Sequence, residues 1–290
     1  MQKLAIIGLG LMGASLGLAA KKKKIARVVS GYARRDETRS EALKRGIVDC
    51  VYDNPGDAVK GADMVVFCLP VLTIPEVAAQ CIPLLEENCV LTDVGSTKAE
   101  LVSQMDKLLG KSNAVFVGSH PIAGSEETGL QAARADLYDG AAVVVTPAGR
   151  KIEKHLTAVR RMWEGLGGRV FIMDPKEHDK TIARTSHLPH LVAAMLVNAV
   201  GRDGGKSWRF CGTGFKDSTR IAAGSEDVWH DILKSNHLVV LRELKEFEKT
   251  LGKVSAMISK KDFPGLKSFL AANREQRKKF EEQFNRERRP

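Results

Sequence analysis

Aromatic residues fill only 6% of the 290 positions, so leucine, valine, isoleucine and alanine must supply most of any core. Cysteine occurs five times, at Cys50, Cys68, Cys81, Cys89 and Cys211, and no two of these form a C-x-x-C pair. An odd number of cysteines set mostly in apolar runs argues against a disulfide framework. It suits small buried thiols in a reducing, cytoplasmic compartment. No internal repeat or low-complexity linker is present, and no stretch reaches the roughly 20 apolar residues of a membrane span. The nearest imitation is the N-terminus, where Lys3 precedes an apolar run ending in Leu18-Ala19-Ala20, the outline of a secretory signal. Glycines at 8, 10, 13 and 17 do not suit an ordinary apolar helix, and the spacing of the first three fits a turn that a folded domain needs.

What is present is the balance of a soluble globular protein, 43% hydrophobic and 28% charged, long enough for two domains. The formal net charge of +10 suits an anionic partner. Basic residues are scattered and lack aromatic interleaving, which excludes the usual nucleic-acid surfaces and leaves a small anionic substrate. Two basic runs stand out. Residues 21–24 fall where the opening helix ends and complement its dipole. Residues 274–289 mix cations with Glu275, Glu281, Glu282 and Glu287 and read as a solvated helix.

Up to residue 174, short apolar runs at 4–7, 28–32, 64–68, 90–93, 115–117, 142–146 and 169–173 alternate with helical patterns at 11–22, 37–45, 74–85, 98–109 and 152–166. Such alternation predicts an α/β domain, 1–174, with a mostly parallel sheet covered on both faces. After Asp174-Pro175 strand-like runs nearly vanish. Leu238, Leu241, Leu244, Phe247, Leu251, Val254 and Ile258 follow at steps of three and four, the stripe of a long amphipathic helix. Residues 175–290 are therefore expected to form an all-helical domain, and its stripe suits packing against a second copy.

Gly8-Leu9-Gly10-Leu11-Met12-Gly13 follows the first strand directly and opens a helix, the context that makes G-x-G-x-x-G a dinucleotide signature. The first glycine permits the turn, the second lets backbone approach the pyrophosphate, and the third allows close helix–strand packing. Cofactor choice lies near the end of the second strand, which reads Gly31-Tyr32-Ala33-Arg34-Arg35-Asp36. Ala33 followed by Arg34 and Arg35 suits the 2′-phosphate of NADP rather than the bare ribose of NAD. Asp36 is the alternative ribose partner if that strand ends later. Leu69 and Pro70, after the 64–68 strand, complete the expected cofactor set.

Four further segments are dense in reactive side chains: 93–98 (DVGSTK), 118–126 (GSHPIAGSE), 185–190 (TSHLPH) and 215–220 (FKDSTR). The first two follow expected strands and so belong at the carboxyl edge of the sheet, beside the cofactor. That places His120, in a loop framed by glycine and proline, where a general base would work.

In this order behind the glycine turn, the GSHPIAGSE, SHLPH and DSTR segments resemble the prephenate/arogenate dehydrogenase family of tyrosine biosynthesis, over residues 3 to about 251. The resemblance implies a Rossmann-type N-terminal domain and an all-α C-terminal dimerisation domain through which two subunits interlock. It implies oxidative decarboxylation of a cyclohexadienol carrying two carboxylates. His120 would be the base, with Ser96 holding the same hydroxyl and orienting the imidazole. Ser186, His187, His190 and Arg220 would line the substrate pocket, Arg220 taking a carboxylate. Glu126 and Asp179 match family positions near the site and either polarise or gate it or form structural salt bridges. Prephenate and arogenate differ by a ketone against an ammonium. A carboxylate beyond the His-Pro loop favours arogenate, whereas the matching place here is the neutral Gln131, with Glu127 close by, which leans towards prephenate.

A zinc reading of the His187/His190 pair has no third ligand in a recognisable motif, so no metal is expected. A 3-hydroxyacid dehydrogenase would need a lysine in the helical domain's first long helix, and residues 189–200 have none. A silent nucleotide sensor would leave His120, His190 and Arg220 without purpose.

Overall fold

The computed structural model of the chain describes residues 1–110, 112–123, 127, 129–147 and 153–287. Its first part alternates β1 (Lys3–Ile7), α1 (Leu11–Lys22), β2 (Val28–Tyr32), α2 (Asp36–Lys44), β3 (Cys50–Tyr52), α3 (Pro55–Val59), β4 (Met64–Phe67), α4 (Ile74–Cys81), β5 (Val90–Asp93), α5 (Ala99–Leu109) and β6 (Val115–Phe116). The six strands pair in the order β3-β2-β1-β4-β5-β6, all parallel. Along β1, Leu4 and Ile6 enter one core while Ala5 and Ile7 enter the other. Both faces are covered, which is why the strand reads as an unbroken apolar run rather than an alternating one.

A second sheet follows, built from β7 (Gly118–Ile122), β8 (Ala142–Thr146) and β9 (Arg169–Ile172), with α6 (Glu153–Gly165) before the last strand. Its order is β7-β8-β9, antiparallel then parallel. The His120 segment is thus a strand, not the loop its glycines and proline suggested, with His120 opposite Val144. Pro121 is tolerated because β7 lies on a sheet edge, where a missing N–H breaks no ladder. Two more elements depart from the sequence pattern. β3 is only three residues long, too short to show a period. The helix expected over 74–85 stops at Cys81 and tightens into a 3-10 turn, Ile82–Leu84, that carries Pro83.

From Asp174 onward every regular element among the described residues is helical. Asp174 accepts from the N–H groups of Lys176 and Glu177 and so caps α7 (Pro175–Ile182). A π turn (Ala183–His187) then leads into α8 (Leu188–Val200), α9 (Thr213–Thr219), α10 (Glu226–Ser235), α11 (His237–Ser259) and α12 (Phe263–Glu287). By packing the chain divides into Met1–His237 and Leu238–Pro290. Helices α7 to α10 belong to the first unit, so the change from mixed to helical structure at 174 does not coincide with a break in packing. The second unit consists of most of α11 and of α12, joined by a turn in which Asp262 accepts from the N–H of Gly265 (2.9 Å). Leu241, Leu251, Ile258, Phe263, Leu270 and Phe280 are exposed along these two helices. No described helix is long and apolar enough to cross a membrane.

Candidate active site

The glycine turn has the three properties a pyrophosphate site needs. Gly8 has φ +105°, and a Cβ there would collide with the Cys68 carbonyl and the Leu69 side chain. A Cβ on Gly13 would strike the Gly8 carbonyl, so the helix can approach the strand only with glycine at that place. Gly10 has open space beside it, and no side chain caps the first-turn N–H groups of α1, where Leu11 and Met12 lie. Those donors and the positive end of the helix dipole fit a dinucleotide pyrophosphate. Tyr138 pins the turn from outside by donating to the Met12 carbonyl (2.7 Å). Leu69 and Pro70 follow β4 at the adjoining strand end, where Leu69 packs beneath Gly8.

β2 ends at Tyr32, so Ala33 is the residue at its tip and is buried there. Asp36 already belongs to α2, with its carboxylate largely exposed and paired to Arg39 (3.1 Å). The Arg39 guanidinium also donates to the Ala33 and Arg34 carbonyls, both at 2.9 Å, which fixes the curve of this loop. Arg34 and Arg35 are exposed beside it.

The carboxyl end of β5 carries a buried polar network. Asp93 pairs with Lys98, both fully buried, and Asp93 accepts further from the N–H groups of Gly95 (2.7 Å) and Ser119 (3.0 Å). Burial pushes the Asp93 carboxyl up and the Lys98 amine down, and each opposes the other's shift through their mutual attraction. Ser119 is held in turn by the Trp163 indole N–H (3.0 Å) and Thr92 (2.8 Å). The neighbouring residue on β7 is His120. Its ring is buried, and burial, then the nearby His178, Lys98 and His187, hold its pKa well below the usual histidine value. It is therefore neutral near pH 7, as a general base must be.

The imidazole of His120 is oriented by His178, Nδ1 to Nε2 at 2.9 Å, and not by Ser96. His178 Nδ1 in turn meets Asp179 Oδ1 at 2.8 Å. Asp179 accepts from the N–H groups of Lys98 (2.7 Å) and Ala99 (2.9 Å), so it caps α5 from a helix eighty residues away in sequence. Ser96 sits half-buried in the β5–α5 loop, between Asp93 and Lys98.

His187 and His190 converge on Trp229 of α10. The His190 ring stacks on the indole (centroids 3.5 Å apart, 12° between planes), and the His187 ring stands edge-on to it (6.1 Å, 88°). Both rings are buried. Burial pushes the His187 pKa down to about 4 and lowers that of His190 against a backbone hydrogen bond to Ile221. His187 Nδ1 faces the Asn236 amide N–H at 3.4 Å, while Asn236 also donates to the Asp179 carbonyl (3.0 Å). Among the described residues, His187 Nε2 and His190 Nδ1 are buried with no hydrogen-bond partner. Orphaned polar atoms of this kind are costly unless a ligand satisfies them.

Ser186 is half-buried in the same π turn as His187, and Arg220 opens the 3-10 turn (Arg220–Ala223) that packs on α8. Gln131 is exposed in a 3-10 turn whose carbonyls are held by Arg45 at the end of α2, and among the described residues no hydrogen bond joins it to the histidines. Glu126 lies outside the described residues. Among those described, no group of three or more His, Cys, Asp or Glu is placed to hold a metal ion.

Sequence reasoning missed His178, Trp229 and Asn236. His178 had one available signal, its position beside Asp179 in a capped helix. Trp229 and Asn236 had none, because they reach the site only by the folding back of α10.

Residues 16–172 match the family model of the prephenate dehydrogenase nucleotide-binding domain, and residues 174–272 that of the prephenate dehydrogenase dimerization domain. A cyclohexadienyl dehydrogenase of Zymomonas mobilis is 35% identical over 263 residues, 89% of each chain. A prephenate dehydrogenase of Lactococcus lactis is 32% identical over 97% of this chain and 78% of its own length. The crystal structure of prephenate dehydrogenase from Aquifex aeolicus, in complex with hydroxyphenyl propionate and NAD+, superposes with a TM-score of 0.89 at 34% identity, covering 97% of this chain and 98% of the other. With both domain models matched along most of its length and a glycine turn shaped for a dinucleotide, the chain belongs to the prephenate dehydrogenase family.

Proposed function

We propose that this protein oxidatively decarboxylates prephenate to 4-hydroxyphenylpyruvate, using NADP in preference to NAD, as a cytoplasmic homodimer. The observation that carries the reading is His120, a buried neutral imidazole at the carboxyl end of the parallel sheet, tethered through one ring nitrogen only. Bound nicotinamide supplies the hydride acceptor. The chain's own work is on the proton. His120 Nε2 accepts the proton of the substrate's ring hydroxyl, and Ser96 holds that hydroxyl in place. Aromatisation then drives carbon dioxide off without a further catalytic group.

Arg220, with Ser186 beside His187, supports binding of the two substrate carboxylates, and the orphaned nitrogens of His187 and His190 offer it further polar contacts. The neutral Gln131 offers no charge to the ammonium of arogenate, which supports prephenate. Ala33 at the tip of β2, with Arg34 and Arg35 exposed beside it, supports NADP, because no carboxylate stands where a ribose hydroxyl would seek one. Five free cysteines support a reducing compartment. The exposed leucines and phenylalanines of α11 and α12 support pairing of two copies.

Reduction of NADP or NAD, followed by absorbance with prephenate or arogenate, tests the reading. Turnover is expected with prephenate and a higher kcat/KM with NADP. No turnover in any combination sinks the assignment, and an NAD preference sinks the cofactor choice alone. Replacing Arg34 and Arg35 together by alanine is expected to raise the KM for NADP about tenfold or more, the worth of charged phosphate contacts, and to leave that for NAD nearly unchanged.

A further inference from the structure

The strand that carries His120 and the helix that carries His178 and Asp179 are joined by hydrogen bonds whose direction can be worked out from one end. Asp179 faces two backbone N–H groups, Lys98 on Oδ1 and Ala99 on Oδ2. A backbone N–H can only donate, so both oxygens are acceptors. His178 Nδ1, 2.8 Å from Oδ1, must therefore carry a hydrogen. Burial keeps His178 below the usual histidine pKa, so the ring is neutral and its Nε2 holds a lone pair. That lone pair faces His120 Nδ1 at 2.9 Å, which makes His120 Nδ1 the donor. His120 is neutral as well, so its remaining nitrogen, Nε2, is bare.

We infer that His178 and Asp179 are positioning residues which lock His120 in the Nδ1–H tautomer, so that Nε2 is the one atom able to take the substrate's proton. The inference rests on His120 being the base and names what makes it one. When His120 accepts the hydroxyl proton at Nε2, the new imidazolium keeps its Nδ1–H donated to His178. No proton needs to pass along the chain, and the one at Nε2 leaves to water after product departs. The arrangement serves the purpose of the carboxylate in a Ser-His-Asp triad, which fixes a tautomer and favours the imidazolium. Here an extra imidazole stands between carboxylate and base. That intermediary lets Asp179 cap α5 at the same time, and so ties the base to the same helix start that holds Lys98.

The test compares wild type, His178→Leu, His178→Gln and His120→Asn. Gln offers a carbonyl oxygen where His178 Nε2 stands, and Leu offers nothing. His178→Leu is expected to lower kcat about 100-fold with KM changed little, and His178→Gln to recover to within about tenfold of wild type. Nitrogen-15 spectra of selectively labelled histidine, taken without substrate, are expected to show His120 protonated on Nδ1 in wild type and His178→Gln. In His178→Leu the proton is expected to shift to Nε2. Equal kcat in the Leu and Gln variants, or a wild-type spectrum with the proton on Nε2, overturns the inference. Should His178→Leu fail to fold, the wild-type spectrum decides alone. His120→Asn separates the two readings, because normal turnover in that variant refutes the base while the spectrum still reports the tautomer.

Discussion

The two histidine sites of the first packing unit differ in what holds their rings, a hydrogen-bonded network ending on a carboxylate at one and an indole at the other. On the β5–β7 side, Asp93, Lys98, Ser119, His178 and Asp179 bond to one another or to backbone, and His120 is held through Nδ1. On the Trp229 side, His187 and His190 are just as buried, yet each leaves one nitrogen unsatisfied. A closed network fixes protonation states before anything binds, as proton chemistry requires. Open nitrogens cost stability unless water or a ligand supplies partners. Under the proposed function the first side does the chemistry and the second the recognition.

The largest way to break the contrast is to open the closed side. Lys98→Met strands a fully buried Asp93 carboxylate and is expected to cost about 3–5 kcal/mol of unfolding free energy, read from urea denaturation. Replacing Asp93 and Lys98 together by apolar residues is expected to cost much less, because no lone charge remains. Next in size, His120→Asn keeps the fold and is expected to lower kcat about 100-fold or more. Near-normal turnover would leave His120 a structural residue.

The Trp229 side is sharpened by acid. The folded pKa of His187 is about 4, below the ordinary value near 6.5, so the unfolded chain binds a proton that the folded one refuses. Its contribution to stability is full above about pH 6.5 and is lost as pH falls towards 4. At pH 5 the loss from this ring is about 2 kcal/mol, and urea midpoints at pH 8 and pH 5 measure it. His187→Gln, which cannot take up the proton, is expected to show a smaller difference between the two. The smallest effect belongs to the cofactor turn. Tyr138→Phe removes one hydrogen bond to the Met12 carbonyl, costs about 1 kcal/mol, and is expected to raise cofactor KM while leaving the substrate KM nearly unchanged.

Much of the fold was legible because its signals are local. The glycines at 8, 10 and 13 each answer a steric need of one turn, and seven of the nine described strands show as apolar runs, five of them in the main sheet, where both faces are covered. β3 and β7 were hidden for opposite reasons, the one too short for a period and the other disguised by Pro121 at a sheet edge. In the site, His120, His187 and His190 stood out by motif. Of their partners only Asp179 did, by its family position, since His178 makes its contact across 58 residues and Trp229 arrives from a separate helix.

The sequence by itself determined a dinucleotide turn, a parallel sheet, a helical second half and a histidine at the sheet's carboxyl edge. These follow from spacing and chain order, which act over a few residues. Only the tertiary structure decided which atom orients that histidine. The α5 backbone donates to Asp179 from one side and His120, through His178, from the other, and that polarity exists only once those distant segments are packed together.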